Sequence, residues 1–223
     1  MYVEQIMSRP VDTVAADTRL SQVSALMQEK GRRFLPVVDG EGRLSGIVTH
    51  RELERAEPSA ITTLAVGEVN YLMAKVTAGQ IMQKAVISCA PDTLVEEAGQ
   101  LMRERRIGCL PVVEGVRLVG IVTDDDILDF LLDITGCALK DTTRIAVHLP
   151  DRTGELGRLL GAINSQGGYI ATVVSPMSRD ETGMRIAIIR HRSEDPAALD
   201  RYLREQGYDL VTESLPQARG EKT

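Results

Sequence analysis

LPVVDGEGRLSGIVTHRE at residues 35–52 returns as LPVVEGVRLVGIVTDDD at residues 110–126, one residue shorter in the turn. Both read as an unbroken apolar strand, a glycine turn, a second apolar strand, and a Thr three positions ahead of an acid. The match extends upstream. Ile6-Met7 aligns with Ile81-Met82, Asp17-Thr18 with Asp92-Thr93, and Leu26-Met27 with Leu101-Met102, each 75 residues apart, against 74 between Gly46 and Gly120. A length change confined to a turn between registered copies marks a duplicated folding unit. Two such copies are expected to pack as a pseudo-symmetric pair, and the cleft between them is the first place to look for a site.

Each copy predicts the order short strand, helix, strand, strand, helix. In the second copy residues 86–89 are the expected first strand. Pro91-Asp92-Thr93 then leads into a helix in which Thr93 and Glu96 have capping-box spacing. Val95, Ala98, Leu101 and Met102 recur there at intervals of three and four. Residues 110–113 and 118–122 are continuous apolar runs, which suit strands buried on both faces. The first copy repeats this with Leu20, Val23, Leu26 and Met27, then residues 35–38 and 44–48.

Between the copies Glu57-Pro58-Ser59 breaks the chain before a helical stretch containing Asn70-Tyr71-Leu72-Met73-Ala74-Lys75. After Gly136 the repeat stops. Ile145, Val147 and Leu149 then alternate as a half-buried strand, and Leu156, Leu159, Leu160 and Ile163 stripe a helix ended by Gly167-Gly168. Residues 169–174 and 184–190 read as strands. Asp195-Pro196 opens a helix that Gly207 ends before a last strand at 208–212. The expected fold class is therefore α/β (α+β), with a βαββαβ unit at the C-terminal end. The domain reading is 1–56 for the first copy, 57–78 for a helical connector, 79–135 for the second copy, 143–215 for the βαββαβ unit and 216–223 for a disordered tail.

The bulk chemistry narrows the function. A net charge of −6 speaks against a nucleic-acid binder, which needs a basic face to displace counterions. Aromatics are 3% and Trp is absent, so the core must be built from aliphatic residues and Met. The start MYVEQIMSRP lacks a signal-peptide pattern and no apolar run reaches roughly 18 residues, so a cytoplasmic chain is expected. Cys89, Cys109 and Cys137 share no CxxC spacing, which fits neither a disulfide framework nor a zinc site. Cys109 stands where the first copy has Phe34 and is expected to fill core.

Chemistry concentrates where Gly120-Ile121-Val122-Thr123 runs into Asp124-Asp125-Asp126. A strand-to-helix junction presents free N–H groups and a positive dipole end. There a Thr hydroxyl and a carboxylate can hold a ribose, the carboxylate accepting charge-assisted hydrogen bonds from the vicinal hydroxyls. The same spacing makes a helix cap with no ligand, and cap and clamp are compatible. The cluster Asp124, Asp125, Asp126, Asp129 and Asp133 can be read as hard ligands for Mg²⁺ beside a nucleotide, or as acids suited to a helix start.

The paired units, by Ile-Met-Ser-Arg-Pro and Ile-Met-Gln-Lys-Ala at their starts, Leu-Pro-Val-Val twice and Gly-Ile-Val-Thr twice, resemble tandem CBS domains, a Bateman module, from about Ile6 to Leu132. The resemblance implies a regulatory module whose cleft binds an adenosine-containing ligand such as AMP, ADP, ATP, NAD or S-adenosylmethionine. It puts ribose on Thr123 and Asp126, with Thr49 and Glu52 as a second site whose longer acid shifts the carboxylate by a methylene. It implies Ile107, Cys109 and Pro111 around the base with Ile87 and Ser88 on its other side. His50, Arg51, Arg32, Arg33, Arg105 and Arg106 become phosphate candidates. Asp124 and Asp125, which stand where the first copy has His50 and Arg51, would repel phosphate, so the expectation is asymmetric: ribose on the second copy, phosphates on cations of the first.

The C-terminal unit resembles an ACT domain, with Pro150-Asp151-Arg152-Thr153-Gly154-Glu155 as its first loop and Thr153 where that family usually has Pro. The resemblance makes Gly154, Leu156 and Asn164 an amino-acid site candidate. Tandem CBS plus ACT is similar to the bacterial acetoin-utilisation B protein family, implying a non-enzymatic, homodimeric regulator that acts on a protein partner, with an adenine nucleotide, with or without magnesium, as regulatory ligand and no catalytic metal. His50, His148 and His191 lie in separate regions and no nucleophile elbow or phosphate-binding glycine loop occurs, so an enzyme is not expected. A ligand-free assembly module, or amino-acid sensing through the ACT unit, are the alternatives.

Overall fold

The computed structural model describes residues 1–56, 75–177 and 183–211. The sequence-predicted connector and tail lie essentially outside these. The chain forms two compact units, one from Met1 to Phe130 and one from Leu131 onward.

The first unit holds both copies. In copy one, α1 (Leu20–Lys30) precedes β1 (Phe34–Val38), β2 (Leu44–Thr49) and α2 (His50–Ala56). A short α3 (Ala78–Ile81) opens copy two, followed by α4 (Val95–Arg105), β3 (Cys109–Glu114), β4 (Arg117–Thr123) and α5 (Asp124–Ile134). Each copy carries one antiparallel two-stranded ladder. Pro36 faces Ile47 and Val37 faces Gly46 in the first, and Pro111 faces Ile121 and Val112 faces Gly120 in the second. The register slips one position later in both, after Val37 and after Val112, so the irregularity is duplicated with the sequence.

Two local expectations are corrected. Residues 86–89 form no strand. Cys89 makes one parallel bridge to Val112, as Val14 does to Val37, and the ladder gains nothing further there. The α4 cap sits one residue later than Thr93 and Glu96 suggested. The Leu94 N–H donates to Glu97 at 3.3 Å, while Thr93 Oγ1 closes the preceding turn by accepting from the Ala90 N–H at 3.1 Å. Copy one repeats this, with Arg19 N–H to Gln22 and Ala15 N–H to Thr18. The threonine is consumed by the turn, so the acid or amide three residues past the next position satisfies the helix start.

The second unit contains β5 (Thr143–Pro150), α6 (Glu155–Ser165), β6 (Tyr169–Val174), β7 (Met184–Arg192), α7 (Pro196–Glu205) and β8 (Asp209–Leu210). Its sheet has the order β6-β7-β5-β8, with every neighbouring pair antiparallel. Ile145, Val147 and Leu149 of β5 pack with Leu159 and Ile163 of α6 and Leu199 and Leu203 of α7. Asp195 caps α7 by accepting from the Ala198 N–H at 2.9 Å with Pro196 next in the chain, as the Asp-Pro pair predicted. Among the described residues the last strand is Asp209–Leu210, shorter than the expected 208–212, of which 212 lies outside them. His148 is a strand position whose Nδ1 lies 2.9 Å from Asp209.

Candidate functional site

The leading segment of each copy packs on the other copy. Ser8 exchanges backbone hydrogen bonds with Ile121, at 2.9 and 3.2 Å, and Gln83 exchanges them with Ile47 at 2.9 and 3.0 Å. Ser8 and Gln83 are equivalent positions of the repeat, as are Ile121 and Ile47. The side chains follow the same crossing. Met7 joins the core of Cys89, Met102 and Leu110, whereas Met82 packs against the core of Leu20, Val23 and Leu35. A Cβ at Gly120 would collide with Met7, and one at Gly46 with Met82, so each glycine admits a methionine from the crossed segment.

This exchange makes two clefts, each joining the strand-to-helix junction of one copy to the crossed lead and pre-strand segment. The first, about 260 Å³, carries Thr49, His50 and Arg51 against Val86, Ile87 and residues 106–109. The second, about 220 Å³, carries Thr123, Asp125 and Asp126 against Ser8, Asp12 and residues 31–34.

In the second cleft Thr123 donates from both N–H and Oγ1 to Asp126 Oδ2, each at 2.7 Å. Among the described residues Oδ1 takes no hydrogen bond, and the half-buried carboxylate lines the cleft. The capping reading is therefore realised with one carboxylate oxygen left over. Arg32 also lines this cleft but its Nε is 2.9 Å from Asp12. Arg33 lines both clefts and reaches across the copies to Asp124 at 2.6 Å and Asp125 at 2.8 Å. The hydrogen bond to Asp124 leads in raising the guanidinium pKa above its ordinary value. With these side chains half to three-quarters exposed, the pairs contribute only about 0.2–1 kcal/mol each. Gly108 makes room for the arrangement, since a Cβ there would meet the Phe34 ring at 2.9 Å and Asp124 at 3.3 Å.

The equivalent acid of the first copy is spent. Glu52 is 7% exposed; Oε2 accepts from the Thr49 N–H and hydroxyl, and Oε1 accepts from Gln83 Nε2 at 2.8 Å. Burial pushes its pKa up, but the hydrogen bonds from Thr49 and Gln83 outweigh it and hold the carboxyl below its usual range. Glu52 is absent from the lining of the first cleft, which contains no carboxylate. Burial pushes the Cys109 thiol up to about 12 and Cys89 up to about 11, so both are inert core groups, Cys109 packed with Ile47 and Ile121 while also edging the first cleft.

The expected site is thereby divided. Thr123 and Asp126 share a cleft with Arg32 and Arg33. Ile87, Ile107, Cys109 and Pro111 lie in the other, with Thr49, His50, Arg51 and Arg106. Ser88 and the exposed Arg105 are in the lining of neither. The reason is the crossing of the leads, which brings the base-side segment of copy two to the junction of copy one. Sequence reading missed Gln83, Phe34 and Asp12. The equivalence of Gln83 and Ser8 in the repeat was the available signal.

The Mg²⁺ reading gains no cluster: among the described residues no three His, Cys, Asp or Glu converge as metal ligands, and Asp124 and Asp125 are engaged by Arg33. In the second unit, Gly154 at φ +88° precedes α6 and Leu156 sits in its first turn against the core, but Asn164 lies at the opposite end. Ten residues of helix separate Gly154 from Asn164 by about 15 Å, so these three do not form one site. No helix among the described residues is long and apolar enough to cross a membrane.

The CBS domain model matches residues 3–59 and 78–133. A CBS domain-containing protein of Dictyostelium discoideum, DDB_G0289609, is 32% identical over 135 residues, 60% of this chain and 93% of that protein. In other curated relatives the matched stretch is 22% to 46% of a longer protein. Among solved structures, an acetoin utilization protein (AcuB) from Vibrio cholerae is 30% identical with a TM-score of 0.53, covering 63% of this chain and 96% of that one. CBSX2 in complex with AMP is 25% identical with a TM-score of 0.51, covering 60% and 97%.

Proposed function

This chain belongs to the CBS domain family, and on that premise we propose that it is a non-enzymatic sensor that binds an adenosine-containing ligand in the cleft of Thr123 and Asp126. The observation that carries this reading is the free Oδ1 of Asp126, a half-buried charged acceptor facing a cavity while its partner oxygen is held by Thr123. Vicinal ribose hydroxyls are the donor pair that such an acceptor suits. The likeness to CBSX2, solved with AMP, supports the ligand class.

Ligand binding biases whichever arrangement of the copies it fits better, by its differential affinity alone. Helix α5 begins with Asp124–Asp126 and runs into the second unit, which makes it the covalent route for that bias. We read the second unit as an ACT-type domain from its βαββαβ order, and likeness to the acetoin utilization protein AcuB supports a role in acetoin use. The assembly alternative rests on the exposed apolar side of α5, where Leu128, Leu131 and Leu132 are 43% to 53% accessible. A second copy covering it would make a homodimer, which sedimentation reads directly.

The deciding experiment is a thermal-shift series with AMP, ADP, ATP, NAD, S-adenosylmethionine and free amino acids. Ligand at about a hundred times Kd stabilises by roughly 2.7 kcal/mol. A shift with an adenosine compound that Asp126→Ala removes supports the sensor. No response across the series, with a dimer intact, supports assembly alone, and a response to amino acids alone supports sensing through the second unit.

A further inference from the structure

Helix α5 is fastened at its two ends and loose between them. None of its residues is buried, whereas α2, its equivalent in copy one, buries Glu52 and Leu53. At its start Asp126 accepts from the Thr123 N–H and hydroxyl at the cleft. The 11 residues of the helix then carry the backbone about 15 Å to its other end.

That end is closed more fully than a helix requires. Gly136, in the left-handed region at φ +64°, donates from its N–H to the Asp133 carbonyl at 2.8 Å, and the Cys137 N–H donates to that of Leu132 at 3.2 Å, which completes a Schellman cap. The Thr135 carbonyl, one of the acceptors a helix end leaves without a helical partner, takes Arg190 Nε at 3.0 Å and the Thr172 hydroxyl at 3.3 Å. The two donors come from neighbouring strands, since Thr172 of β6 stands opposite Arg190 of β7. A Cβ on Gly136 would come within 3.0 Å of Thr172 Cγ2 and 3.1 Å of Arg190 Cδ, so the turn lies directly on those side chains. Two positions along β7, on the same face of the strand, Arg192 Nε donates to Asp141 at 2.6 Å. The cap needs neither strand donor, and their presence ties the helix end to the sheet.

We propose that Thr172 and Arg190 form a clamp through which a change at the cleft of Thr123 and Asp126 reaches β6 and β7, with α5 as the carrier. No buried side chain anchors the body of α5, so a displacement at Asp126 is not absorbed along it. Thr135 and Gly136 are seated on two strands, so the displacement is delivered there. Coupling requires one element that both sites bias, and α5 is that element. The clamp residues touch no ligand and act through the helix. The ligand that drives the change rests on the proposed sensor function, but the connection does not, because a substitution at Asp126 loads the same helix.

The test is hydrogen exchange by mass spectrometry on the full chain, following residues 169–174 and 184–192 with and without saturating AMP, beside calorimetry for AMP affinity. In the unmodified chain AMP should alter exchange of both strands about fivefold. Arg190→Met combined with Thr172→Val removes both donors and keeps most of the side-chain volume. This variant should bind AMP within about twofold of the unmodified chain and lose the AMP-dependent change in the two strands, while keeping that at 120–126. Faster exchange in the variant with the AMP-dependent change intact would mark a clamp that only supports the fold, and overturns the proposal. An unmodified chain that binds AMP with both strands unresponsive overturns it as well. If calorimetry finds no AMP binding, the sensor function fails by itself and Asp126→Ala takes the ligand's place. That substitution should alter exchange of the two strands about fivefold with the clamp intact and not in the Arg190→Met, Thr172→Val background, and equal effects in the two backgrounds overturn the proposal.

Discussion

Glu52 Oε1 accepts a hydrogen bond from Gln83 Nε2 at 2.8 Å, tying the acid after the second strand of copy one to the leading segment of copy two. The equivalent pair, Asp126 and Ser8, lines an open cleft instead. One methylene on the acid and one amide on its neighbour separate a filled corner from an available one.

Replacing Glu52 with Ala should destabilise the first unit by about 2 kcal/mol, because it leaves the Thr49 N–H and the Gln83 amide unpaired in a buried place. The folded-state pKa lies below the usual value, so the carboxylate stabilises the fold above the ordinary glutamate range and that contribution is lost as pH falls through the folded pKa. Urea midpoints of the unmodified chain and Glu52→Gln should therefore converge on acidification below about pH 4. A constant gap down to pH 3 would show that the charge contributes nothing.

Gly120→Ala should cost about 1–3 kcal/mol by overpacking against Met7. Adding Met7→Ala removes the obstacle, so a double-mutant cycle in chemical denaturation should show coupling above about 1 kcal/mol. Gly46 with Met82 should behave alike. Additive effects would mean that the crossed methionines are not seated on those glycines.

Asp126→Asn separates the cap from the clamp. An amide oxygen still accepts from the Thr123 N–H, so thermal stability should fall by less than about 1 kcal/mol. Ribose affinity in that cleft should fall at least tenfold with the loss of charge-assisted bonds, read by calorimetry with adenosine. A large fall in stability with unaltered binding would assign the residue to the helix alone.

Glu52→Asp with Gln83→Ser should convert the corner of the first cleft to that of the second. The expected gain is a preference of about tenfold for AMP over 2′,3′-dideoxy-AMP in the Asp126→Asn background, where none is expected beforehand. Absence of the gain would show that backbone differences, and not this pair, separate the clefts.

In the second unit His191 is fully buried, with neither ring nitrogen bonded among the described residues. Desolvation lowers its pKa, against an opposing pull from Asp200. The neutral form is the folded one, so stability should decline as pH falls through the unfolded value near 6.5. His191→Leu should abolish that decline between pH 7.5 and 5.5, measured by urea unfolding of the second unit's transition. Identical slopes would mean that the buried imidazole takes up a proton as readily as the unfolded one.

Much of the fold was legible because its signals are local. Leu20, Val23 and Met27 repeat at helical spacing, the Leu-Pro-Val-Val and Gly-Ile-Val-Thr runs make the ladders, and Asp195-Pro196 starts a helix where such a pair must. Where local signals compete, the reading slipped. Thr93 serves a turn instead of the helix next to it, and 86–89 is apolar enough for a strand but has only the Val112 bridge.

The duplication, the two ladders and the identity of Thr123 and Asp126 as a candidate pair were determined by the order of residues alone, since each depends on neighbours within a few turns of chain. Which residues face them was decided by the tertiary structure. Ile6-Met7 and Ile81-Met82 are identical pairs, and nothing in periodicity says whether each packs on its own copy or the other. The backbone pairing of Ser8 with Ile121 and Gln83 with Ile47 settles it. That crossing moves Ile107 and Pro111 to Thr49 and buries Glu52 beneath Gln83, because contacts between segments about 30 to 110 residues apart depend on how two surfaces fit, which no stretch of sequence carries by itself.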